Sequence, residues 1–167
     1  MPVEDQGVDP IRYQVIPRTL IFLLDPRERV LLLRGAADKR IWANRYNGIG
    51  GHIEPGEDVL TAACRELREE AGLTAVPLRL CGTVLVDTRS NVGIGIYVFR
   101  GDYSGQPLTA SGEGQLEWLE LDRLGDVDLV EDVPRLLARI AAMKPGEAPF
   151  SARSFYDDKG QLQIVFS

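Results

Sequence analysis

The chain has 167 residues, 44% hydrophobic and 26% charged, which is enough for one globular domain with a real core. Its formal net charge of −6 disfavours a nucleic-acid polymer as partner, since such partners select a basic footprint. No apolar run approaches the ~20 residues that span a bilayer, and the opening MPVEDQGVDP lacks the basic-then-apolar pattern of a signal peptide, so a cytoplasmic chain with no membrane association is expected. Cys64 and Cys81 lie in apolar contexts and read as buried free thiols of a reducing compartment. The single histidine, His52, is poor material for a zinc cluster or a Ser-His triad.

In chain order, residues 1–12 are polar and read as a loose N-terminal arm. Tyr13–Leu24, rich in β-branched and aliphatic residues, reads as a strand, and Val30–Leu33 returns from the turn signal Asp25-Pro26-Arg27-Glu28. Gly35–Arg45 is a charged loop carrying Trp42. Tyr46–Ile53 is glycine-rich, with short strand character around Ile49 and Ile53. A helix is predicted from about Glu57 to Ala71, with Leu60, Ala63, Cys64, Leu67 and Ala71 as its buried stripe and Gly72 just past its end. Pro77–Asp87, Val92–Arg100 and Gln115–Leu121 are further strands, the last centred on Trp118. Val130–Met143 reads as a second helix, with Val133, Leu136, Leu137 and Ile140 at helical spacing and its start near Asp132 or Val133, because Pro134 is tolerated only in the first turn. Phe150–Phe166 reads as a hairpin around Asp157-Asp158-Lys159-Gly160.

The chemistry concentrates at residues 51–73, GHIEPGEDVLTAACRELREEAGL. Positions three and four apart share a helix face, so Glu66, Glu69 and Glu70 can converge on one point. Hard divalent cations favour such oxygen ligands, usually shared with substrate phosphates. The spacing resembles the Nudix box, G-x5-E-x7-R-E-U-x-E-E-x-G-U with U aliphatic. Gly51, Glu57, Arg65, Glu66, Leu67, Glu69, Glu70, Gly72 and Leu73 fill all its fixed positions. With average usage of ~7% per residue type, a chance match at a given start is on the order of one in 10⁹, so a merely solvated acidic helix is a poor explanation.

The resemblance implies the Nudix fold over roughly residues 13–143. This is an α/β/α sandwich with a mixed central sheet, to which residues 144–167 add a C-terminal β-hairpin. It further implies Mg²⁺, or Mn²⁺ in its place, held by Glu66, Glu69, Glu70 and the Gly50 carbonyl. The reaction implied is hydrolysis of the diphosphate linkage in a nucleoside diphosphate derivative. Arg65 and Glu57 would pair and orient a box glutamate, or form a plain surface ion pair. Glu113, in the glycine-flanked loop before the Trp118 strand, is the favoured general base, with Glu69 or Glu70 otherwise and Glu117 as competitor. Tyr46-Asn47-Gly48-Ile49-Gly50-Gly51 is similar to the branch that removes oxidised purine triphosphates, where this asparagine reads the base. Asn47 is equally suited to capping its own turn. The same branch carries a tryptophan followed by acids before its second helix. Here Glu131 and Asp132 supply the acids while Val130 stands where the aromatic is expected, forfeiting stacking worth roughly 1–3 kcal/mol. Trp42 is either a lid over substrate or a packing anchor.

The first expectation is thus a nucleoside triphosphate cleaved to monophosphate and pyrophosphate by a monomer or homodimer. Nucleotide sugars and dinucleoside polyphosphates are the alternative substrates. The rival classes are a non-catalytic nucleotide-binding regulator and an isoprenoid diphosphate isomerase, and the intact box argues against the first.

Overall fold

β1 (Gln14–Leu24) turns back through residues 25–28 onto β2 (Arg29–Gly35). Asp25 closes the turn, accepting from the backbone N–H of Arg27 and Arg29 and from the Arg29 guanidinium at 2.7 Å. In this computed structural model, residues 2–7, 9, 11–38, 41–109 and 111–167 are described. Parts of the expected arm (Met1, Val8, Pro10) and of two expected loops (Lys39, Arg40 and Ala110) lie outside the described residues. The chain continues through β3 (Tyr46–Asn47), α1 (Val59–Ala71), β4 (Leu78–Val86), β5 (Val92–Asp102), β6 (Gly114–Glu120), α2 (Val133–Ala141), β7 (Phe150–Tyr156) and β8 (Leu162–Phe166). Two 3-10 segments, Val3–Gln6 and Leu121–Asp126, have no periodic signature in the sequence.

The strands form one mixed sheet in the order β3-β2-β1-β5-β4-β7-β8, with β6 also paired to β2. β1 lies parallel to β5 and β4 parallel to β7. Strand alternation then divides the core. Leu20, Phe22 and Leu24 of β1 pack beneath α2 with Val133, Leu136, Leu137 and Ile140. Ile21 and Leu23 pack on the other face against Ala63, Leu67 and Ala71 of α1. The expected layering, a helix on each side of a mixed sheet, is what the chain adopts. The tail hairpin continues this sheet: Phe150, Ala152 and Ile164 enter the core on the α2 side, and the Phe150 and Phe166 rings meet edge-on at 5.3 Å. No helix among the described residues is long and apolar enough to cross a membrane.

Three local expectations are corrected. The buried stripe of α1 is Ala62, Ala63, Leu67, Glu70 and Ala71, while Leu60 and Cys64 are exposed. The helix is rotated so that its alanines lie flat on the sheet and Glu70 turns inward; Cys64 is therefore a surface thiol, and only Cys81 is buried. Glu57 lies outside the helix, which Asp58 caps by accepting from the backbone N–H of Leu60 and Thr61 at 2.9 Å. Around Ile49 and Ile53 there is no continuous strand, only single bridges from Ile49 to Ile21 and from His52 to Arg18 of β1.

Candidate active site

The segment 49–53 lies antiparallel along the edge of β1, bonded through Ile21 N–H to Ile49 O at 2.7 Å, Thr19 N–H to Gly51 O at 2.8 Å and Ile53 N–H to Pro17 O at 3.1 Å. This seats Gly50 and Gly51 directly above the polar edge of α1. The Gly50 N–H donates to Glu70 Oε2 at 3.1 Å, and Glu70 is buried. A Cβ on Gly51 would stand 2.4 Å from Glu66 Oε1, so a side chain there would push that carboxylate aside.

Arg65 organises the remaining carboxylates. Its Nε and Nη2 grip Glu57 at 2.7 and 2.9 Å. Nη1 donates to Glu66 at 2.8 Å and to Glu69 at 3.0 Å, and Nη2 also donates to the His52 carbonyl at 2.9 Å. A planar five-donor fork suits this geometry and a lysine does not. Hydrogen bonds from Arg65 hold the Glu57 carboxyl below its usual range, while burial pushes Glu66 up against the opposing pull of Arg65. The side chains of Arg65 and Glu57 are 21% and 16% exposed, so this is a partly buried buttress and not a plain surface pair.

The donor set is all oxygen, which fits a hard divalent cation. Among the described residues no three carboxylates meet at one point, because Arg65 holds Glu66 and Glu69 while Gly50 holds Glu70. The Glu69 side chain is 52% exposed, the least enclosed of the carboxylates that Arg65 holds.

On the opposite face of the sheet, beside Gly50 and Gly51, opens a cleft of about 360 Å³. Arg18, Leu20 and Ile96 line its floor, with Trp42, Asn47, Glu113, Val130 and Asp132 among its walls. Every residue expected to face substrate therefore reaches one cleft. Glu113 also borders a smaller recess with Gly50 and Glu70, and its charge acts on Glu66. Asn47 Oδ1 accepts from the Gly48 N–H at 2.8 Å, so it caps its own turn while lining the cleft. Trp42 sits on the rim in a left-handed conformation, φ 61°. Trp118 is a packing residue, 4.9 Å from the Tyr103 ring beneath α1.

With the box geometry in place, comparison with known proteins decides the family: the sequence matches the NUDIX domain over residues 15–140. The chain belongs to the Nudix family. It is a hydrolase of the class that acts on acid anhydrides in phosphorus-containing compounds. A mouse relative, the oxidized purine nucleoside triphosphate hydrolase, is 34% identical over 115 residues, covering 68% of this chain and 72% of that protein. Among solved structures, a mutator MutT protein from Bacillus halodurans superposes with a TM-score of 0.74 at 19% identity, covering 92% of this chain and 98% of that one. The NUDIX domain of Shewanella oneidensis NrtR complexed with ADP ribose superposes at 0.68 with 16% identity, covering 84% and 97%.

Two features of this Nudix cleft are not evident from the box. Asp132, at the start of α2, has a buried Oδ1 without a hydrogen-bond partner. The preceding Glu131 accepts from the Tyr156 hydroxyl at 2.9 Å, so the C-terminal hairpin braces the loop that carries Asp132. Burial, reinforced by the Glu131 charge, lifts the Asp132 carboxyl above its usual range. The folded state thus keeps this proton to higher pH than the unfolded chain. Stability linked to Asp132 is complete below the unfolded value of 3.8 and is lost as pH rises through the raised folded value. Asp132→Asn removes that loss. The melting temperature of the variant relative to wild type should be about level below the unfolded value, climb as pH rises through the raised folded value, and stay level above it. A pH-independent difference would contradict the assignment.

Proposed function

We propose that the chain is a divalent-cation-dependent pyrophosphohydrolase of nucleoside triphosphates, releasing a monophosphate and pyrophosphate. The observation that carries this reading is the cleft itself, a base-sized recess of Leu20, Ile96 and Val130 that runs to Gly50, Gly51 and Glu113 above the box carboxylates. A ligand with its base in the recess directs its phosphates toward that end.

Glu66, Glu69, Glu70 and the Gly50 carbonyl would hold Mg²⁺ or Mn²⁺. Bound there, the cation would neutralise charge on the phosphates and lower the pKa of the attacking water. Arg65, fixed by Glu57, holds Glu66 and Glu69 in place. Glu113 takes the proton of the attacking water, a role supported by its place on the rim beside Gly50 and Glu70. Asn47 and Asp132 contact the base, and Trp42 closes over it. The oxidized purine activity named for the mouse relative supports a purine as that base. Two free thiols support a reducing, cytoplasmic compartment.

The test is a substrate panel with Mg²⁺: normal and oxidised purine triphosphates, a nucleotide sugar, a dinucleoside polyphosphate and ADP-ribose. Pyrophosphate release from the triphosphates, abolished by chelation, is expected. Turnover confined to ADP-ribose or the dinucleotide would reject the triphosphate reading. Binding without turnover anywhere would make the chain a regulatory module.

A further inference from the structure

Among the described residues, two buried side-chain polar atoms have no hydrogen-bond partner: Arg18 Nε and Asp132 Oδ1. Both residues line the same cleft. Folded proteins seldom leave such atoms unsatisfied, so a pair lining one cavity marks a place for a polar ligand that serves both.

The position of Arg18 separates it from the phosphate machinery. It lies on β1 with its Cα paired to Ile96 on one side and to His52 on the other. Strand alternation puts it on the face of Leu20, Phe22 and Leu24, which pack toward α2. The box carboxylates belong to α1, which packs on the opposite face against Ile21 and Leu23. Arg18 is thus placed away from the box carboxylates and beside Ile96 of the apolar recess, where the base end of a ligand would sit.

Guanidinium is permanently charged and only donates. Its fork matches two adjacent acceptors, and a 6-keto purine offers O6 and N7 side by side. The next edge of that base carries the ring N–H and, in guanine, the exocyclic amine. These are donors for a carboxylate such as Asp132. A 6-amino purine turns an N–H donor toward the guanidinium, so donor would face donor. We infer that Arg18 is the residue that selects a 6-keto purine in this cleft, working opposite Asp132. The inference rests on the nucleotide reading above and deepens it to a base class.

The experiment compares wild type with Arg18→Met and Arg18→Lys in two assays. The first is kcat/KM for GTP, ITP and ATP with Mg²⁺. The second is calorimetric binding of GMP and AMP without metal, which needs no turnover. Wild type should favour GTP and ITP over ATP, and GMP over AMP. In Arg18→Met the keto-to-amino ratio should fall by roughly 10-fold or more in both assays, as expected for loss of one bidentate base contact. Arg18→Lys keeps the charge without the fork and should recover only part of the ratio. Melting curves establish that each variant is folded. Equal losses for GTP and ATP would move Arg18 to the sugar or phosphates and overturn the inference, as would an unchanged ratio. Wild type that binds AMP as tightly as GMP overturns it too, whatever the triphosphate turnover. Binding of neither monophosphate, with no triphosphate turnover, overturns the nucleotide reading itself and the Arg18 role with it.

Discussion

Glu70→Gln should lower kcat/KM by about 10²–10⁴-fold while leaving the melting temperature close to wild type. The reason is the contact Glu70 makes. Its Oε2 accepts from the Gly50 N–H at 3.1 Å in a buried setting. Glutamine has the same shape, and its carbonyl can keep that bond, so the loop stays seated on α1. What disappears is the negative charge beneath the place where cation and phosphates would meet. Glu70→Ala is the informative contrast, because it also leaves the Gly50 N–H unsatisfied. It should cost a further 1–3 kcal/mol of stability, roughly the penalty for a lost buried partner. Pyrophosphate release and thermal melting on both variants check the two halves of the argument. Near-normal turnover in Glu70→Gln would remove Glu70 from the cation site. Glu113→Gln in the same assay should also lose about 10²–10⁴-fold if Glu113 takes the proton, and wild-type turnover would return that role to a box glutamate.

The burial of Glu70 follows from tertiary packing that no local sequence pattern encodes. Helical spacing alone puts Glu66, Glu69 and Glu70 on one polar side, with Leu60 and Cys64 in the buried stripe. Apolar periodicity treats a glutamate as solvent-facing, so it cannot register one that a neighbouring loop covers. In the folded chain Glu70 replaces Cys64 in the buried set because the Gly50 N–H supplies its partner. The hub at Arg65 was more legible, since its carboxylates lie at fixed offsets along a few turns of one segment. The cleft was legible only in pieces. Asn47, Glu113 and Asp132 were visible as polar residues in loops. Arg18 was hidden inside a strand where nothing local marks which face it takes. That it lines the same cleft as Asp132 follows from sheet order and from α2 packing, both long-range properties. The tail was legible as a hairpin, but its parallel docking on β4 and the Tyr156–Glu131 contact depend on the same distant packing.

Gly50→Ala should destabilise the protein by roughly 3 kcal/mol or more, which for a chain of this size lowers the melting temperature by about 6–12 °C. Gly50 has φ 149°, outside the range that side chains adopt readily. An added Cβ would lie 2.2 Å from the Thr19 carbonyl oxygen and 2.8 Å from its carbon. Those are backbone atoms of β1, paired along its whole length to β5, so they cannot retreat cheaply. Segment 49–53 would have to lift instead, stretching the Thr19–Gly51 and Ile21–Ile49 bonds and withdrawing the Gly50 N–H from Glu70. Gly56→Ala is the matched control. Gly56 also has a positive φ, 90°, but nothing lies within 4 Å of its added Cβ. It should lose only about 1 kcal/mol, the strain of an unfavourable backbone conformation by itself. Equal melting losses in the two variants would mean that the close approach of Gly50 to β1 carries no energetic weight. A much larger loss in Gly50→Ala, with kcat/KM falling alongside it, would tie the loop's fit on β1 to the placement of Glu70.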